Sequence, residues 1–156
     1  MTKTIKIFIS FVALSIFIIF VIYKVINKNI VHNDTLILIS RNITEKSFLD
    51  NLVKKNIRIN KLEWILGKFF FEKKFVLKYG EYLIKKNTKL KDFLYQIHNS
   101  RVYYRKFILI DGTTSKDLKI NLSKAIGLVG KVPKLHEGIY KPDTYLYKWG
   151  DTKTSL

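Results

Sequence analysis

The hydrophobic pattern divides the chain into one uninterrupted apolar run and a longer stretch of short alternating elements. Ile7 to Tyr23 reads Ile-Phe-Ile-Ser-Phe-Val-Ala-Leu-Ser-Ile-Phe-Ile-Ile-Phe-Val-Ile-Tyr and carries no charge. As a helix rising about 1.5 Å per residue the run covers about 25 Å, slightly less than a hydrocarbon core of about 30 Å. Lys3, Lys6 and Lys24 flank it, and their ammonium groups can extend outward to close the difference. No small-x-small cleavage site follows; the next residues are Lys-Val-Ile-Asn-Lys. An uncleaved membrane anchor is expected. Lys3 and Lys6 on one side nearly balance Lys24 and Lys28 on the other, so orientation follows the body, since a large folded part is commonly exported whatever its charge. That gives a short cytoplasmic N-terminus and an external body.

Beyond the anchor, the pattern predicts short strands alternating with helices. Thr35-Leu-Ile-Leu-Ile-Ser40 is a β-type run. Asn42 with Glu45 three residues on forms a capping-box pattern, after which Phe48, Leu49, Leu52 and Val53 recur at helical spacing. Leu62, Ile65, Leu66, Phe69 and Phe70 make a second amphipathic stripe. Tyr79 to Ile84 reads as a strand entered through Gly80, and Thr88 as the cap of a helix whose apolar side is Leu90, Phe93, Leu94 and Ile97. Phe107-Ile-Leu-Ile110 is another strand, ended by Asp-Gly. Thr114 to Leu122 follows as a helix, with Leu118, Leu122, Ala125 and Ile126 inward. Gly127, Gly130 and Pro133 break the pattern, and Asp151 to Leu156 resembles a helix start that should fray. The fold class is α+β, with no repeat of fixed period.

Composition changes this picture in few places. The 156 residues have room for one domain or two small ones, and 47 % hydrophobic content is enough for a packed core. Cysteine is absent and the three histidines (His32, His98, His136) are scattered, so neither a disulfide framework nor a zinc site is expected. No cofactor is implied. The net charge is +17, and removing the anchor's four lysines leaves +13 on the remainder. The heavy use of Lys, Ile, Asn, Phe and Tyr is what an AT-rich coding sequence produces, which weakens any inference from charge to partner. The basic, aromatic segment Tyr103-Tyr-Arg-Lys-Phe107 reads as a solvated strand edge; an exported body meets no cellular nucleic acid. His98, near a helix end, reads as a surface or capping residue, and the triplets starting at Asn33, Asn42 and Asn121 as chance matches to a glycosylation pattern.

The densest cluster of functional side chains is His136-Glu-Gly-Ile-Tyr-Lys-Pro-Asp-Thr-Tyr145. Pro142 fixes a backbone angle, Asp143 and Thr144 hydrogen-bond to nearby chain, and Gly138 permits close approach of a ligand. Glu137, Asp143, Tyr140 and Tyr145 are the groups for a sugar-binding groove; an ordered polar turn is the other reading of the same residues.

This segment resembles the endolytic murein transglycosylases of the membrane-anchored YceG-like type. Their hallmark is Glu-Gly followed after a few residues by Pro-Asp-Thr-Tyr, matched by Glu137-Gly138 and Pro142-Asp143-Thr144-Tyr145. Tyr79-Gly-Glu-Tyr82 resembles the family's Gly-Glu-Tyr strand, and Ile110-Asp-Gly-Thr113 falls where family members usually read Pro-Glu-Gly-Trp, with Asp111 as a departure. The resemblance implies residues 1–33 as cytoplasmic tip, anchor and linker, 34–100 as a LysM-like βααβ module, and 101–156 as the start of a mixed α/β catalytic domain. It also implies Glu137, Gly138, Pro142, Asp143, Thr144 and Tyr145 as substrate contacts. The implied partners are peptidoglycan glycan strands, inner-membrane lipid and the cell-wall synthesis machinery, with the body in the periplasm.

In the family a single carboxyl group protonates the glycosidic oxygen and then assists the muramoyl 6-hydroxyl in displacing it, leaving a 1,6-anhydro end. That glutamate lies downstream in the family, in a Glu-Lys-Glu-like helix. This chain ends at Leu156, and its glutamates are Glu45, Glu63, Glu72, Glu81 and Glu137, none in such a context. The expectation is an N-terminal portion, truncated before the catalytic glutamate and inactive alone. A non-catalytic, anchored peptidoglycan-binding module is the alternative.

Overall fold

The computed structural model describes residues 2–69, 71 and 75–156. Phe70 and Glu72, named above, lie outside the described residues. Helix α1 (Thr2–Ile26) contains the apolar run, and its segment Ile5–Ile26, about 33 Å long at the helical rise, is long and apolar enough to cross a membrane. Phe8, Phe11, Phe17 and Ile19 are among the side chains it leaves exposed. No other described helix meets that test.

The chain then forms β1 (Thr35–Ile39), α2 (Glu45–Lys54), α3 (Lys61–Phe69), β2 (Gly80–Ile84) and α4 (Leu90–His98). Strands β1 and β2 pair antiparallel, from Thr35 opposite Ile84 to Ile39 opposite Gly80. Their inner face and the helices enclose Ile37, Ile39, Phe48, Leu52, Trp64, Tyr82, Ile84, Phe93, Leu94 and Ile97. Phe48 and Trp64 meet at 5.5 Å between ring centroids, and Trp64 meets Phe75 edge-on at 5.3 Å. Burial pushes the Tyr82 phenol up to about 12, and its hydroxyl donates to the Lys78 carbonyl at 2.9 Å.

Several local expectations need correction. Asn42 has φ 60, a left-handed turn, and the cap of α2 is Thr44, whose hydroxyl accepts from the Ser47 N–H at 3.2 Å. Thr88 donates its hydroxyl to the Lys85 carbonyl, leaving Lys89 at the N-cap of α4 without a side-chain bond. Helix α3 turns the opposite face inward. Trp64 and Gly67 are buried, Leu66 is half-buried, and Leu62, Ile65 and Phe69 are exposed. The indole carries the largest apolar area on the helix, and a β-carbon at Gly67 would collide with the Leu94 side chain of α4. His98 is half-buried against the rings of Phe71 and Phe75, and its Nδ1 is buried with no hydrogen-bond partner among the described residues. Residues read as linker join the core: Ile30 and Val31 are buried, and the Ile30 N–H donates to Thr88 while its carbonyl accepts from Arg58.

A second, smaller core follows. Strand β3 (Tyr104–Leu109), helix α5 (Ser115–Lys124) and strand β4 (Asp143–Lys148) surround Phe107, Leu109, Leu118, Leu122, Leu128 and Tyr147. The two strands run antiparallel, from Tyr104 opposite Lys148 to Leu109 opposite Asp143. Ile126 is exposed, not inward as its spacing predicts, because the helix has already ended at Lys124. The end of the chain is docked, contrary to the frayed helix start expected above. The Val129 N–H donates to Asp151, the Lys153 N–H to Val129, and Leu156 packs against the core. The whole is a mixed helix-and-strand fold of small antiparallel sheets, in agreement with the predicted class.

Glu81 of β2 and Arg105 of β3 join the two cores. Glu81 is 5 % exposed, and its carboxylate accepts from Arg105 Nε at 2.7 Å and from Nη2 at 2.8 Å. The Tyr103 N–H donates to the Glu81 carbonyl at 2.7 Å beside it. The bond to Glu81 raises the Arg105 guanidinium above its ordinary range. Arg105→Ala leaves a buried carboxylate unpaired and is expected to cost about 2–3 kcal/mol, less than a fully buried pair because the guanidinium is partly exposed. Adding Glu81→Gln should recover part of that loss in urea denaturation followed by circular dichroism.

Candidate functional site

The candidate site is built where β3 runs out into the turn that starts α5. Gly112 has φ 76, a conformation that favours glycine, and its N–H donates to Asp111 Oδ1 at 3.0 Å. Thr113 closes the turn, donating its hydroxyl to the Ile110 carbonyl at 2.6 Å. Thr114 then caps α5, accepting from the Asp117 N–H at 3.2 Å and donating to the Asp117 carboxylate at 2.7 Å. Opposite this helix start lies Glu137, whose Oε2 accepts from the Ser115 N–H at 3.0 Å. The carboxylate thus sits at the positive end of the α5 dipole and supplies a cap from outside the helix.

The turn and the Glu137-Gly138 pair enclose a cavity of about 360 Å³, completed by Ser115, His136, Tyr140 and Pro142. Gly138 has φ 74 and open space around it. The sequence-predicted residues divide here. Glu137, Gly138 and Pro142 line the cavity. Asp143 and Thr144 are exposed at the start of β4, where the Thr144 N–H donates to Asp143 Oδ1 at 2.7 Å. Tyr145 packs against the second core and lines a separate cavity of about 240 Å³, with its hydroxyl donating to the Lys141 carbonyl at 2.6 Å. The cavity also takes His136, Thr113 and Ser115, which the sequence motif does not single out; Tyr140 lines both spaces.

Chemically the cavity offers two carboxylates, two hydroxyls, an imidazole and a phenol ring around a small apolar floor of Leu109 and Leu118. That is a set for hydrogen-bonding a polyhydroxylated ligand. The Ser115 side chain and N–H hold the Glu137 carboxyl below its ordinary range, whereas a general acid at neutral pH needs its value raised. The other described glutamates are engaged in ion pairs: Glu45 with Lys68 at 2.6 Å, Glu63 with Lys28 at 2.6 Å and Glu81 with Arg105 at 2.7 Å. Among the described residues no cluster of three or more His, Asp or Glu side chains is arranged to hold a metal ion.

Larger cavities lie elsewhere. One of about 580 Å³ is lined by Lys28, His32, Lys55, Arg58 and Glu63, beside the end of α1 and away from the motif. No family model, curated protein or solved structure matches the chain.

The cap assigns a pH dependence with a definite sign. A carboxyl held below its unfolded value stabilises the fold above the ordinary carboxylate range, and the contribution is lost as pH falls through the depressed folded value. The Ser115 amide resonance should therefore titrate with a midpoint below that range. In Glu137→Gln the titration should vanish; its persistence would assign it to Asp117 instead.

Proposed function

We propose that the chain is the anchored, glycan-binding part of an endolytic murein transglycosylase of the YceG-like type, and that alone it binds peptidoglycan without cleaving it. The observation that carries this reading is the convergence of two sequence segments 25 residues apart on one cavity. Asp111-Gly112, which stands with Asp111 as a departure where the family usually reads Glu-Gly, and Glu137-Gly138 both line this cavity of about 360 Å³. The β1-α2-α3-β2 order with its antiparallel strand pair supports the LysM-like reading of residues 34–100. The apolar α1 supports a membrane anchor; the reading puts that anchor in the inner membrane and the body in the periplasm, next to glycan strands and the wall-synthesis machinery.

In this reading the turn hydroxyls, Glu137 and His136 hydrogen-bond sugar hydroxyl and acetamido groups, while the Tyr140 ring packs against a pyranose face. Cleavage would require a proton for the departing glycosidic oxygen, and general acid–base assistance is typically worth about 10²- to 10⁴-fold in rate. Glu137, drawn to the α5 N-terminus, is poorly suited to give it. This favours binding without turnover.

Pull-down on purified peptidoglycan tests the reading. Tyr140→Ala should weaken binding about tenfold at a salt concentration that screens the +13 body, with the circular dichroism spectrum unchanged. Asp143→Ala, outside the cavity, should have a smaller effect. Equal retention of all three proteins would place the attachment outside this cavity and overturn the reading. With intact sacculi, neither the native chain nor Glu137→Gln should release anhydro-muropeptides; release by the native chain alone would make Glu137 an acid after all.

A further inference from the structure

We infer that helix α3 lies on the bilayer surface and inserts Leu62, Ile65 and Phe69 into it, as a second membrane contact that fixes the tilt of the body. The inference rests on α1 crossing the bilayer, and on three features of the helix beside it. First, the stripe is apolar and turned away from the core. At about 100° per residue, Leu62, Ile65 and Phe69 fall within about 60° of one another on the helix surface. They are 72 %, 49 % and 86 % exposed, while Trp64 and Gly67 on the opposite side are buried.

Second, the helix is held beside the end of the span. Helix α3 packs against α1, whose last turns half-bury Ile22, Val25 and Ile26 against the body. Lys28 Nζ, two residues past the end of α1, donates to Glu63 Oε1 at 2.6 Å and fastens the first turn of α3 at that level. Glu63 also accepts from the Asn60 N–H at 3.0 Å, while Asn60 Oδ1 accepts from the Glu63 N–H at 2.8 Å, a reciprocal cap that sets where the helix begins. A helix held against the last turns of a membrane span is held at the depth of the headgroups.

Third, the charge around it suits that depth. The cavity of about 580 Å³ at the foot of α1 presents Lys28, Lys55 and Arg58, and it reaches Asn60 and Glu63 at the start of α3. Cations at that level attract anionic lipid, and an apolar helix face rests about 5–10 Å into the headgroup–acyl boundary. The occupant of the stripe is thus the bilayer that α1 crosses. Contact at two places, span and α3, would hold the Glu137 cavity at a fixed orientation to the membrane.

The full chain, which has no native cysteine, can be labelled at single introduced positions. Ile65→Cys, Leu62→Cys, Phe17→Cys and Ile126→Cys would each carry an environment-sensitive fluorophore. The proteins would be reconstituted in vesicles of phosphatidylethanolamine and phosphatidylglycerol containing nitroxide lipids. The expected result is several-fold stronger quenching at Ile65 and Leu62 than at Ile126, greatest when the nitroxide is near the headgroup, with Phe17 quenched best from the chain end. Quenching at Phe17 while Ile65 and Leu62 behave like Ile126 overturns the docking and leaves the span intact. No quenching at Phe17 overturns both. Emission at Ile65 that shifts with protein concentration and not with nitroxide lipid assigns the stripe to a second copy of the chain and also overturns the inference.

Discussion

The arrangement of the two cores depends on one buried charge. Glu81 is almost wholly removed from water, and a lone carboxylate there would cost about 2–3 kcal/mol. Two short hydrogen bonds from Arg105 satisfy it in a fork geometry that tolerates little rotation. The pair therefore fixes the direction in which β3 leaves β2. The far end of β3 is the Ile110–Thr113 turn, so the same constraint places one wall of the candidate cavity. Arg105 also lies over the Trp149 ring at 5.5 Å, and Trp149 occupies the space that a side chain at Gly127 would need. Through that contact the loop after α5 is held against the strand pair.

The chemistry of the cavity follows from where its carboxylate is drawn. A glutamate in an apolar pocket would be pushed up towards neutral pH and become a proton donor. Glu137 instead meets the amide end of α5, which stabilises its charge. Glu137 thereby acts as a cap for α5 with one edge on the cavity. A stabilised charge and a ready proton make opposite demands on such a group, and the Ser115 contact favours the charge.

Much of the fold was legible in the sequence where a single pattern dominated. The uncharged run of α1, the short apolar run of β1 and the Leu90-Phe93-Leu94-Ile97 face of α4 were of that kind, with no competing element for those side chains. Where two patterns competed, spacing alone chose badly. Helix α3 has apolar residues on both sides, and the choice fell to Trp64 and to the close approach that Gly67 allows α4, neither of which is a periodic signal. Strand β4 was hidden because Pro142-Asp143-Thr144 reads as a turn, while its pairing with β3 is made with residues about 40 positions earlier. The site was half legible. Glu137, Gly138 and Pro142 lie on one cavity as their spacing suggests, but strand alternation sends Tyr145 to the core, and the turn that forms the opposite wall is distant in sequence.

The central claim is that the cavity between the Asp111-Gly112 turn and Glu137-Gly138 is where glycan binds. Amide hydrogen exchange on the full chain in detergent, with and without an uncrosslinked glycan oligomer, addresses it most directly. Slower exchange confined to the Gly112–Ser115 and His136–Gly138 segments is the result expected of a ligand seated there. Slower exchange only around Lys28, Lys55 and Arg58, or no change in either segment at saturating glycan, would contradict it.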